Sequence, residues 1–168
     1  MLDDPYAPYY PGDDAVDWVG MSLYHWGSAY PWGENELPEQ NKLIDQLTGS
    51  YNGANGDDSP LPDFYATYAG EHGKPLAITE TAALYVPDRE GAPGAEIKRQ
   101  WWEQVFAPDV SQRFPMLQMI NWFEWVKHEV EVDATVDWSV TRDPALASAF
   151  LTALPAAMRF ASDAQPCS

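Results

Sequence analysis

The chain predicts an α/β fold built on a parallel sheet, and three observations carry that expectation. Pro75 opens an apolar run, Leu76-Ala77-Ile78, of the kind a strand covered on both faces requires. Residues 95–107 place Ile97, Trp101, Trp102, Val105 and Phe106 on one helical stripe. The order of segments is strand, helix, helix, strand, helix, strand, helix, which argues for right-handed βαβ units. The 168 residues suffice for one domain with a sizeable core. They fall short of the ~250 typical of a complete eight-stranded barrel.

Each element follows from local chemistry. Residues 1–14, rich in Pro, Tyr and Asp, predict an irregular lead-in, and residues 15–24 a nearly continuous apolar strand in which Gly20 permits close approach. Residues 25–38 form an unusually aromatic loop. Leu43, Ile44 and Leu47 share a helical face over residues 40–47. Residues 48–60 are a loop by composition. Leu61, Phe64, Tyr65 and Tyr68 are spaced as a helix over 61–72, which Gly73 can stop. The strand ending at Glu80 follows, then a Pro- and Gly-containing loop over 85–94. Pro108 closes the helix over 95–107. Residues 115–125 predict a third buried strand and 126–142 a charged loop. Asp143 caps a last helix with Pro144 in its first turn and Leu146, Phe150, Leu151 and Leu154 inward. No internal repeat and no second domain are evident. Residues 155–168 are expected to be a flexible tail.

Twenty-six acidic and nine basic side chains give a net charge of −17. Such a surface repels phosphate backbones, so neither nucleic acid nor an anionic membrane is expected as a partner. No apolar run reaches the ~18 residues of a membrane span. The first five residues are acidic and lack an apolar h-region, so no secretory signal is expected there. Cys167 stands alone and predicts a free thiol on the tail. His25, His72 and His128 are scattered, so no metal is expected, and no phosphate-binding loop points to an organic cofactor.

The chemistry concentrates at the C-terminal ends of the three strands. If these are parallel neighbours, one rim gathers Tyr24, His25 and Trp26, then Glu80, then Trp122, Glu124 and Trp125. A carboxylate among aromatic rings is the composition of a sugar-binding cleft, where rings stack on pyranose faces and the acid works on the glycosidic bond. A tyrosine hydroxyl donating to Glu80 would favour its ionised form. Glycoside hydrolysis usually needs two carboxyl groups. Only Glu80 is well placed; Glu124 is the nearest alternative, with a structural or substrate-binding role as its default. Asp137 is expected to organise its own loop.

Tyr-Pro-Gly-Asp-Asp (10–14), Val-Asp-Trp-Val-Gly (16–20), Ser-x-Tyr (22–24), Lys-Pro-x-x-Ile-x-Glu (74–80), Trp-Phe (122–123) and Asp-Trp-Ser (137–139) together resemble the second half of family 26 glycoside hydrolases. That family holds β-mannanases and related retaining endo-β-glycanases on (β/α)8 TIM barrels. The resemblance implies that residues 1–154 are the C-terminal portion of such a barrel, approximately strands six to eight. It implies Glu80 as nucleophile, Tyr24 as the residue orienting it and Trp122 as the ring under the sugar. The acid/base glutamate of strand four has no counterpart here, and Glu124 departs from the expected neutral or basic residue. The implied substrate is a β-linked polysaccharide, mannan-type first. The implied location is extracellular, with no cofactor and with a missing N-terminal half-barrel as possible partner. The competing expectation is a non-catalytic carbohydrate-binding remnant, or a fragment that closes a barrel with another chain.

Overall fold

In the computed structural model, residues 4–28, 32–53 and 61–160 are described. Three parallel strands form one sheet in the order β1 (Val19–Ser22), β2 (Leu76–Thr81), β3 (Leu117–Trp122). Between them run α1 (Lys42–Leu47), a π-helical segment (Tyr65–Glu71), α2 (Gly94–Val105) and α3 (Pro108–Arg113). The sheet is followed by an antiparallel hairpin, β4 (Val126–Glu129) with β5 (Ala134–Asp137), and then by α4 (Pro144–Ala153).

Leu76 and Ile78 of the central strand are fully buried against helices and join Leu43, Leu47, Tyr68, Ile97, Trp101 and Val105 in the main core. The neighbouring tryptophans of α2 serve two interfaces. Trp101 faces the sheet, and its indole N–H donates to Thr81 Oγ1 at 2.9 Å. Trp102 packs edge-on against Phe150 of α4, ring centroids 5.4 Å apart. Each buried indole removes roughly 200 Å² from water, about 5 kcal/mol of transfer free energy. Helix α2 is thereby wedged between the sheet and α4.

The central strand contains a bulge. Met21 pairs with Ile78 but Ser22 with Glu80; on the other side Ile120 pairs with Ile78 but Trp122 with Thr81. One residue beyond strict alternation is therefore accommodated between Ile78 and Thr81. Before the bulge, even-numbered residues face the helices. After it, Thr81 and Ala83 do, while Ala82, Leu84 and Val86 turn to a second core with Val136 and Trp138.

Several expectations need correction. Residues 126–142 contain the hairpin as well as loop; its four-residue strands are too short and too charged to stand out by alternation. The helical spacing of 61–72 takes the wider π geometry. Leu151 is exposed, so α4 buries only Phe150 fully, with Leu146 and Leu154 partly covered. Asp143 caps α4 by accepting from Ala145 N at 2.7 Å and Leu146 N at 3.0 Å. Part of the 48–60 loop, the end of the tail and Cys167 lie outside the described residues.

The loops at the strand ends are held by Asn35. Its amide nitrogen donates to Val86 O (2.8 Å) and Arg89 O (2.9 Å), and its oxygen accepts from Val86 N (2.8 Å). Asn35→Ala removes all three bonds and strands a buried N–H. The expected loss is about 3 kcal/mol in urea unfolding, with an unchanged slope. A loss below about 1 kcal/mol would mean the two loops are held by something else.

Candidate active site

Glu80 is exposed at the C-terminal end of β2 because the bulge turns it away from the helices. Bulges beside functional sites commonly re-aim a side chain in this way. Tyr24, two residues beyond β1, donates its hydroxyl to Glu80 Oε2 at 3.0 Å. Oε1 accepts no hydrogen bond among the described residues. Burial, then the bond to Glu80, then the charges of Glu80 and Glu129 push the Tyr24 phenol well above its ordinary range. It is a neutral donor at any physiological pH.

Tyr24 belongs to an aromatic wall. Its ring lies 5.1 Å from Trp138, 6.0 Å from Phe123 and 6.1 Å from Trp26. Trp138 packs edge-on against Trp26 at 4.8 Å, and its indole N–H donates to the buried Glu129 at 2.7 Å. Trp125 stands outside this wall, 59% exposed, its ring nearly parallel to Phe123 at 16° and 6.5 Å. The pair offers a flat apolar surface to solvent.

Three expected rim residues sit elsewhere. His25 is fully buried, because alternation sends it to the side opposite Tyr24 and Trp26. Its Nε2 donates to Glu36 O at 2.8 Å, which leaves Nδ1 to accept from Lys42 Nζ at 3.2 Å. It cannot touch a ligand on the rim. Trp122 follows Ile120 to the helix side, where its ring lies 4.8 Å from Phe150 and 6.0 Å from Phe106. It also packs against the Trp138 cluster that carries the wall. Glu124 is engaged by the segment leading into α4: Oε1 accepts from Val140 N at 2.7 Å and Oε2 from Thr141 Oγ1 at 2.9 Å. Its role here is structural, as is that of Asp137, which accepts from Ser139 N at 2.9 Å within its own loop.

Phe123 and Trp138 were not among the expected ligand contacts. The signal for Phe123 is parity: it shares the face of Asn121, opposite Trp122. Trp138 has no such signal, because its position depends on the hairpin. A cavity of about 330 Å³ lies beside the rim, lined by Tyr24, Trp26, Trp32, Gln46 and Tyr51. Glu80 does not line it, so the cavity flanks the carboxylate. Among the described residues no His, Cys, Asp and Glu cluster fits a metal ion, and no helix is long and apolar enough to cross a membrane. No protein-family model matches the chain, and no curated protein does.

The buried imidazole has a pH signature. Burial and, secondarily, the Lys42 charge lower His25 from 6.5 to about 4. The unfolded chain takes up this proton near pH 6.5 and the folded chain only near pH 4. Stability from His25 is therefore complete above pH 6.5 and declines as pH falls toward 4, by roughly 3 kcal/mol. Urea midpoints of wild type and His25→Gln should converge on acidification over that window. Parallel profiles would mean that His25 is not held neutral.

Proposed function

We propose that this chain carries the nucleophile side of a retaining glycoside hydrolase acting on O-glycosidic bonds of a β-linked polysaccharide, mannan-type first. The observation that carries the reading is the Tyr24 hydroxyl on Glu80 Oε2, at a parallel strand's C-terminal end and beside an aromatic wall. In this reading Tyr24 fixes one carboxylate oxygen, and the other attacks the anomeric carbon to form a glycosyl ester. Trp26, Phe123 and the exposed Trp125 supply apolar surface for pyranose faces. The proton donor to the leaving oxygen comes from outside the described residues, in keeping with a partial (β/α)8 barrel whose opposite wall is another segment or chain. An extracellular location belongs to the same reading.

A fluoride leaving group needs no acid catalyst, so the nucleophile can be tested by itself. Incubation with a 2-deoxy-2-fluoro-β-mannosyl or β-glucosyl fluoride is expected to add one fluorosugar by intact mass, located to Glu80 by peptide mapping. In that step the Glu80–anomeric carbon bond forms, the C–F bond breaks and fluoride departs. Glu80→Gln should abolish the adduct. An unlabelled wild type, or a label elsewhere, would defeat the reading.

The engagement of Glu124 favours a second reading, a carbohydrate-binding protein without turnover. It predicts that Trp125→Ala weakens mannohexaose binding about tenfold by calorimetry, ~1.4 kcal/mol, and that Glu80→Gln leaves it unchanged. Failure to bind any oligosaccharide would remove this reading.

A further inference from the structure

The bulge that aims Glu80 is itself held from both faces of the sheet, by the two threonines flanking the carboxylate. On the helix side Thr81 is fully buried, and its hydroxyl accepts from the Trp101 indole at 2.9 Å. On the open side the Thr79 hydroxyl pairs with Ser22 Oγ at 3.1 Å. The Thr79 carbonyl, displaced from the regular ladder, accepts from Asn121 Nδ2 at 3.2 Å. Gly20 leaves room for this arrangement: a Cβ there would come within 2.5 Å of Thr79 Cγ2. All three strands thus contribute a contact to one irregular residue pair. An unpaired strand carbonyl and an extra residue are costly unless neighbours satisfy them. Here the neighbours are polar side chains placed at the level of the bulge.

We infer that Thr81 with Trp101, and Thr79 with Ser22 and Asn121, form a two-sided clamp whose members are positioning residues for Glu80. The inference rests on the nucleophile reading for its catalytic meaning, while its structural claim concerns only the Tyr24–Glu80 bond. Without the clamp the strand would regain strict alternation. Glu80 would then turn toward the helices, and its bond to Tyr24 would be lost.

Two variants test it from opposite faces. Thr81→Val removes one hydroxyl at constant shape, with Thr81→Ser as the conservative rescue. Asn121→Ala acts on the exposed face and keeps the test alive if Thr81→Val fails to fold. The first readout is the Cζ resonance of Tyr24 at neutral pH, from tyrosine labelled at that carbon, which reports the hydroxyl's bond to Glu80 and needs no activity. Loss of the bond to Glu80 is expected to move that resonance to the position it takes in Glu80→Ala, where the acceptor is removed outright. The second readout is the labelling rate constant at saturating fluorosugar fluoride, expected to fall roughly 10- to 100-fold with little change in reagent affinity. Thr81→Ser should restore both. Variants that melt earlier but keep the wild-type Tyr24 resonance and rate constant would overturn the clamp. If wild type is never labelled, the nucleophile reading fails on its own account. The clamp then stands if the Tyr24 resonance moves in the variants and is overturned if it does not.

Discussion

Between Ile78 and Thr81 the central strand accommodates one residue more than either neighbour, and the placement of everything above the sheet depends on that displacement. Leu76 and Ile78 enter the helix-facing core with the even-numbered parity. Beyond the bulge that parity passes to Thr81 and Ala83, which freezes Ala83 against the same core. Glu80, Ala82, Leu84 and Val86 acquire the opposite orientation, and the last three pack under the hairpin around Trp138. An unbulged strand would direct the carboxylate into an apolar helix interface, where an ionised group is strongly disfavoured. It would also direct Thr81 and Ala83 toward a rim that they are too small to fill.

The same parity explains how much of the site was legible in the sequence. The apolar run ending at Glu80 and the pairing of Tyr24 with that carboxylate follow from strand-end chemistry alone. The placement of His25 does not survive, although alternation already separates it from Tyr24 and Trp26. Trp122 turns toward Phe106 and Phe150 and Phe123 toward Tyr24 for the same reason: proximity in sequence to the rim is not orientation toward it. The bulge itself has no local signal, since Ile-Thr-Glu-Thr fits a regular strand equally well. Its cause is tertiary, in Trp101, Ser22 and Asn121. The hairpin has no clear signal in the sequence because Lys127, His128 and Glu129 dilute the alternation of β4, while its stability comes from Trp138 and Glu129 packing beneath Trp26 and Tyr24.

Charge is distributed with similar economy. The chain has nine cationic side chains among its 168 residues. Three of them donate to backbone carbonyls in the loops framing the rim. Lys42 Nζ reaches Gly27 O at 2.6 Å, and Lys98 Nζ reaches Ser139 O at 2.7 Å. Arg89 bridges Gly33 O at 2.9 Å and Val132 O at 2.7 Å. Burial lowers the Lys98 pKa, and the Asp137 charge acts against that shift. Loop carbonyls beyond strand ends lack ladder partners, and charge-assisted donors satisfy them more strongly than neutral ones. These three cations organise loops from within, and the excess of 26 acidic over nine basic side chains leaves the chain strongly acidic. Such a charge suits a neutral saccharide better than an anionic one.

The open face of the sheet bears on where a second catalytic group would stand. Gly20, Ala77 and Met119 pair across the three strands in one layer, and Ser22, Thr79 and Asn121 form a polar layer above it. Met119 is 44% exposed, and Trp18, just before the edge strand β1, is 46% exposed. Large apolar groups beside unpaired strand edges are surfaces that proteins normally cover. A covering segment would face Glu80 across the polar layer. That is the side from which a proton donor must approach the leaving oxygen if Glu80 attacks from β2, since the two carboxyl groups of a retaining site flank the glycosidic bond at about 5–5.5 Å. Under the nucleophile reading, the exposed layers and a proton donor from outside the described residues are one requirement. On that reading, whatever covers Met119 and Trp18 also faces Glu80 and stands where the second carboxyl group is needed.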